Sequence, residues 1–219
     1  MKIQGPIIYV PVGVGTFHME TAEQGFRDSC ALLRQLAKET GMEDALVIPD
    51  GILFSAGEVK AFLKSKTPSL VILQNVTFAN AAYTQEICDV TDAPVVVWTL
   101  RDPAGDGGRL KRNALTGAFA AANRLYMDGR IRYRHILGDP SEESIGRLLA
   151  AYMRALSALR KVCGKTLLLV GEPPEGFSFG AAEETVLQES FGLAIRSVST
   201  AAMIEKARAV TEAEAAPFL

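Results

Sequence analysis

Thr16, Phe17, His18 and Glu20 follow a hydrophobic run and two glycines in the stretch VPVGVGTFHMETAEQ, residues 10–24. A hydroxyl, an aromatic face, an imidazole and a carboxylate in one loop can orient or polarise a polyol. A second loop, Gln74-Asn75-Val-Thr77-Phe78-Ala-Asn80, mixes amide and hydroxyl groups with one aromatic ring. Sugars present hydroxyls and apolar C–H faces together, so this mixture suits a carbohydrate. A third loop begins at Trp98-Thr99-Leu100-Arg101 and runs through glycines to Arg109, Lys111, Arg112 and Asn113. Its cations can receive an anion or a polyol. Each group also has a plainer reading. The glycines can simply turn the chain, Thr77 or Asn80 can cap a helix over a buried Phe78, Trp98 can pack in the core, and the basic loop can be solvated.

The pair Gly13 and Gly15 invites a dinucleotide-binding reading, which the surrounding residues argue against. The fingerprint needs a third glycine three residues on, where this chain has His18. It also needs an acid roughly 20 residues further along, and Asp50 comes too late. His18 and His135 are the two histidines. His135 sits mid-strand and reads as structural. His18 and Glu20 alone do not make a coordination sphere, so no metal site is expected from these residues. No nucleophile elbow, phosphate loop, metal-binding helix or CxxC appears. The residues amount to ligand loops without a catalytic set.

The elements that would carry these loops alternate strand and helix. The strands are read at 6–12, 45–49, 69–75, 93–100 and 132–138, with helices near 21–40, 57–65, 79–90 and 113–129. Thr21 and Gln24 have capping-box spacing at the first helix start. Helical crossovers between successive strands force a parallel sheet covered on both faces. A doubly wound, flavodoxin- or Rossmann-like α/β domain over residues 1–139 follows, with ligand loops at the carboxyl edge of its strands. Asp139-Pro140-Ser141-Glu142 then reads as N-cap, first helical residue and box of a long helix. Beyond Gly164 come two further strands, 165–171 and 193–199, with helices at 182–191 and 201–210. The tail TEAEAAPFL shows no element of its own. Two strands and their helices bury too little surface to stand alone, so they either extend the first sheet or make residues 140–219 a partial second Rossmann-like domain.

The composition, 48% hydrophobic and 22% charged, supports a sizeable core. A net charge of −2 argues against a nucleic-acid partner. Cys30, Cys88 and Cys163 are widely spaced within helical patterns and read as free thiols of a reducing compartment. No signal peptide or membrane-length apolar run is present. A cytoplasmic protein with no membrane partner is expected.

The loops, in their order, resemble the N-terminal region of the L-fucose/L-arabinose isomerase family, in particular its fucose isomerase-like branch. The matching stretches are the Thr16-Phe17 loop, Thr77-Phe78-Ala79, APVVVWTLRDP with the glycine-rich gap to Asn113 and Gly117, VGEPPEGF, and ESFGLAI. Each is loose alone; their order along nearly the whole chain carries the resemblance. It implies an oligomeric aldose–ketose isomerase of carbohydrate metabolism, whose catalytic C-terminal domain holds a divalent metal, commonly Mn²⁺. That domain lies downstream of these residues. The chain is then expected to be inactive alone, to hold no metal or catalytic residue itself, and to serve a neighbouring subunit's site. The resemblance implies sugar contacts from the Thr16–Glu20 loop and a closing aromatic at Phe78. With the third loop, the substrate-binding candidates are Thr16, Phe17, His18, Glu20, Thr77, Phe78, Trp98, Arg101 and Asn113. The alternative is a stand-alone sugar- or effector-binding module of flavodoxin-like fold.

Overall fold

The computed structural model describes residues 3–105, 107–130, 133–177 and 183–218. The chain divides into two compact units, Met1–Ser157 and Ala158–Leu219.

In the first unit the apolar runs form a five-stranded parallel sheet: β1 (Ile7–Val12), β2 (Leu46–Val47), β3 (Leu70–Asn75), β4 (Val95–Thr99) and β5 (Arg134–Leu137). The order is β2-β1-β3-β4-β5, with Tyr9 opposite Ile72 and Leu73 opposite Val97. This is the doubly wound topology that the alternation predicts. Side chains alternate between the sheet faces, so successive residues feed two cores. Ile7, Tyr9, Ile72 and Trp98 pack against α1 (Met19–Thr40) and α5 (Glu143–Val162) through Leu33, Leu36, Leu149 and Met153. Ile8, Val10, Leu73 and Val97 pack against α2 (Ala56–Leu63), α3 (Ala81–Val90) and α4 (Ala114–Met127) through Val59, Ile87 and Leu125. Each such fully buried aliphatic side chain contributes roughly 1.5–3 kcal/mol. The N-terminal part of α5 therefore belongs to the first core, and that compact unit extends past the boundary expected at residue 139.

Burial on both faces suits β1, β3 and β4, whereas β5 is an edge strand whose Arg134, His135 and Leu137 are exposed. His135 Nε2 lies 2.9 Å from Thr99 Oγ1, and desolvation holds its pKa below the usual histidine value. One buried polar chain crosses the first core. The Tyr9 hydroxyl donates to Gln74 Oε1, Gln74 Nε2 donates to Ser29 Oγ at 2.9 Å, and Ser29 Oγ donates to the Gly25 carbonyl at 2.7 Å. The three cysteines are free, and burial pushes the Cys30 and Cys88 thiols up to about 11. At neutral pH these two are thiols and not nucleophiles.

Two helix starts differ from expectation. Helix α1 opens at Met19, with His18 as its N-cap: His18 Nδ1 accepts from Thr21 N at 3.3 Å and lies 2.7 Å from Thr21 Oγ1. The imidazole does at residue 18 what a hydroxyl was expected to do at residue 21. Helix α5 opens at Glu143, after a turn in which Asp139 N donates to Glu142 Oε1 at 2.7 Å. The Asp139 carboxylate turns to Arg112 rather than capping the helix.

In the second unit β6 (Thr166–Val170) pairs in parallel with β7 (Ala194–Val198). Helices α6 (Glu184–Phe191), α7 (Thr200–Ala209) and α8 (Glu212–Ala215) follow in the same order as the chain. Arg132, and residues 178–182 of the expected loop and helix start, lie outside the described residues. The last helix corrects the reading of the tail: Thr211 and Glu214 form a full capping box. From Ala158 on, no described residue is buried. Strand β6 reads TLLLV like a buried strand, yet Leu168 is 48% and Val170 51% exposed.

Candidate functional site

The strand order reverses direction between β1 and β3, and doubly wound sheets open a crevice there at the carboxyl edge. The loops after β1 and β3 meet at this point. Thr77 joins them: its buried Oγ1 accepts from Val14 N at 2.9 Å. Gly13 makes room for that hydroxyl, because a Cβ at residue 13 would lie 2.5 Å from Thr77 Oγ1. Thr77 is thus a brace between loops and not a helix cap. Asn80 caps α3 instead, its Oδ1 accepting from Ala82 N at 2.9 Å. Replacing Thr77 with Val should leave the Val14 N–H unmet and cost about 1–2 kcal/mol. Urea unfolding with amide exchange checks this: the Val14 amide should exchange faster, and unchanged protection would mean that the hydroxyl braces nothing.

The β4–α4 loop runs across both of these loops. His18 N donates to the Lys111 carbonyl at 3.0 Å, and Phe78 N to the Arg112 carbonyl at 2.8 Å. Its residue Arg109 lays its guanidinium carbon 4.4 Å from the Phe17 ring centroid and donates to the Thr16 carbonyl at 3.3 Å. Phe17 in turn packs against Phe78, centroids 6.4 Å apart. Phe78 is half-buried in this stack and outside both cores. Thr16, His18 and Glu20 are exposed beside it. Because His18 Nδ1 accepts a backbone N–H, its neutral tautomer carries the proton on Nε2 and presents a donor.

The remaining candidates lie elsewhere. Trp98 is fully buried on β4, and its Nε1 donates to the Gly138 carbonyl at 2.9 Å. It is a core residue. Arg101 forms a two-pronged pair with Glu142, at 2.7 and 3.2 Å, and this pair holds its pKa above the usual arginine value. Asn113 adopts a left-handed conformation, φ 51°, ahead of α4, and its Oδ1 accepts from Thr116 Oγ1 at 2.7 Å. Arg101 and Asn113 therefore shape the loop instead of joining the Phe17–Phe78 stack.

Three residues outside that candidate set build this loop. Asp102 accepts from the N–H groups of Arg112 and Asn113 at 2.7 and 3.0 Å. Arg112, 8% exposed, donates to the carbonyls of Arg101 and Thr21 at 2.6 and 3.2 Å and to Asp139 at 3.3 Å. Gly25 lets that guanidinium cross α1, since a Cβ there would come within 2.9 Å of Arg112 Nη2. Arg101, Arg112 and Asp139 line a groove of about 550 Å³ with Asp28 and Gln35 of α1. Its arginines already face Glu142 and Asp139, so it is not an anion receptor. The signal for Asp102 was the Asp-Pro pair at a loop start. Arg112 gave none beyond its place among the loop cations.

Chemically, the β1/β3 edge gathers two rings, one guanidinium, hydroxyls and an imidazole donor. Among the described residues no group of three His, Cys, Asp or Glu is placed to hold a metal ion. No helix of the described residues is long and apolar enough to cross a membrane.

No protein-family model matches the chain. It is 40% identical over 210 residues to a sulfoquinovose isomerase of Clostridium sp. (strain MSTE9), covering 96% of this chain and 46% of that protein. A sulfoquinovose isomerase of Priestia aryabhattai is 30% identical over 197 residues, and one of Alkalicoccus urumqiensis 27% over 208. The chain spans less than half the length of these relatives. Similarity to sugar isomerases agrees with the coarser part of the resemblance. The sugar in these names is sulfoquinovose, and nothing in them links the chain to the L-fucose/L-arabinose family.

Proposed function

We propose that the chain is the N-terminal part of an aldose–ketose isomerase acting on a sulfonated sugar of the sulfoquinovose type. It supplies substrate contacts from the β1/β3 edge and surface for assembly, while the catalytic metal centre belongs to further polypeptide. The observation that carries this reading is similarity along 96% of the chain to a sulfoquinovose isomerase more than twice its length. The open second unit supports it independently. Its strand β6 leaves Leu167, Leu168, Leu169 and Val170 exposed, as expected of a sheet that further strands and helices would complete. A self-contained binding module would close that face with polar residues, so the alternative reading draws no support from it.

The 219-residue chain with Mn²⁺ should convert neither sulfoquinovose nor L-fucose nor L-arabinose to a ketose. Joined in frame to the part of the Clostridium relative that it does not match, it should convert sulfoquinovose. Product is read by ketose-specific detection. Turnover by the chain alone would sink the claim of a centre located elsewhere. A folded, metal-loaded fusion without turnover on any of the three sugars would sink the isomerase.

A further inference from the structure

We infer that Arg109 is the receptor for the sulfonate of the sugar, and so the residue by which this edge separates sulfonated from plain sugars. The inference rests on the isomerase reading for its choice of ligand and on geometry for its choice of residue. The β4–α4 loop carries four basic residues, Arg101, Arg109, Lys111 and Arg112. Arg101 is neutralised by Glu142 and Arg112 by Asp139. Among the described residues no carboxylate lies within ion-pair distance of Arg109, whose recorded partners are the Phe17 ring and the Thr16 carbonyl. A guanidinium has five N–H donors in a planar fork, and among the described residues this one spends a single donor, on Thr16.

A sulfonate is a tetrahedral monoanion that stays charged across the working pH range. It offers oxygens that a planar fork engages pairwise, as carboxylate and phosphate do. Contact with the Phe17 ring, together with the bond to Thr16, restrains the guanidinium before the ligand arrives, which reduces the ordering cost of binding. Phe17 is itself held by Phe78. The edge adds partial positive charge from the N-terminus of α1, a 22-residue helix that opens at Met19 beside Phe17. The rings and the His18 donor then face the carbon skeleton and hydroxyls, while the guanidinium takes the anion.

The test is an NMR titration of the 219-residue chain with sulfoquinovose, methanesulfonate and quinovose, the same sugar without its sulfonate. Sulfoquinovose and methanesulfonate should move the Arg109 side-chain and Phe17 ring resonances; quinovose at equal concentration should leave them in place. R109Q should bind sulfoquinovose at least about tenfold more weakly, and R109K should recover only part, having charge without the fork. Arg109 is exposed, so its replacement leaves the core intact, and the comparison of ligands on the parent chain needs no variant. Equal response to quinovose, no response to sulfoquinovose, or unchanged affinity in R109Q each overturns the inference. The titration reads anion binding without turnover, so it can fail while the fusion still isomerises, and the two readings fall separately.

Discussion

Replacing Arg112 with Met should cost the first unit about 3 kcal/mol, a large share of the usual 5–15 kcal/mol of a domain. The cost comes from what the guanidinium leaves behind. It donates to the Arg101 carbonyl at 2.6 Å, the Thr21 carbonyl at 3.2 Å and the Asp139 carboxylate at 3.3 Å. Truncation removes this donor from the Arg101 carbonyl and the Asp139 carboxylate, while the Thr21 carbonyl keeps its place in the hydrogen-bond ladder of α1, and groups left without a partner lose more than the net worth of their bonds. Asp139 keeps about a third of its side-chain surface, so water recovers part of its loss, which holds the figure at the low end for a broken buried pair. Methionine fills most of the volume, so cavity formation adds little. Arg112→Lys should recover little, because one ammonium cannot reach two carbonyls and a carboxylate from different directions. In urea, at a slope of about 1–3 kcal/mol per molar, the Met variant should melt at least about 1 M earlier. A midpoint within a few tenths molar of the parent would show that the loop stands without its buried cation.

The β-α alternation and the parallel sheet were legible because burial on both faces turns strands into uninterrupted apolar runs, as in PIIYVPV and APVVVWTL. The meeting of the Thr16–His18 and Thr77–Phe78 loops followed from topology, since both leave the carboxyl ends of adjacent strands. Which side chain within a loop faces a ligand was not legible. Trp98 and Arg101 are two residues outside that stack for reasons of long-range partnership: one bonds Gly138, the other Glu142. Those partners lie about 40 residues on, and sequence spacing is silent about them. Likewise, a histidine that caps α1 competes with a hydroxyl three residues later, and local pattern alone favours the hydroxyl.

Gly117→Ala should destabilise the first unit by about 1–2 kcal/mol, although the same change in an exposed helix interior gains about 1 kcal/mol. Residue 117 lies within α4, where propensity alone favours alanine. Packing opposes it. A Cβ there would lie 2.7 Å from Asn75 Nδ2, 2.8 Å from Ala79 N and 3.2 Å from Ala79 O. Two of these atoms are backbone, so no rotamer change relieves the contact, and either the helix or the β3–α3 loop must give way. Helix α4 is held by Ala118, Ala121 and Leu125 in the second core, which leaves the loop as the softer element. That loop carries Phe78 next to Ala79. Its displacement should therefore disturb the tilted ring contact with Phe17 and, through it, the placement of the Arg109 guanidinium. With backbone atoms at 2.8 and 3.2 Å, the overpacking cost falls in the upper part of about 1–3 kcal/mol and outweighs the helical gain, and the β1/β3 edge moves with it. Urea unfolding should show a lower midpoint, and the Phe17 and Phe78 ring resonances should shift in the ligand-free chain. A raised midpoint with unmoved ring resonances would mean that α4 and the loop have slack at this contact, and that the close approach at Gly117 does not position the site.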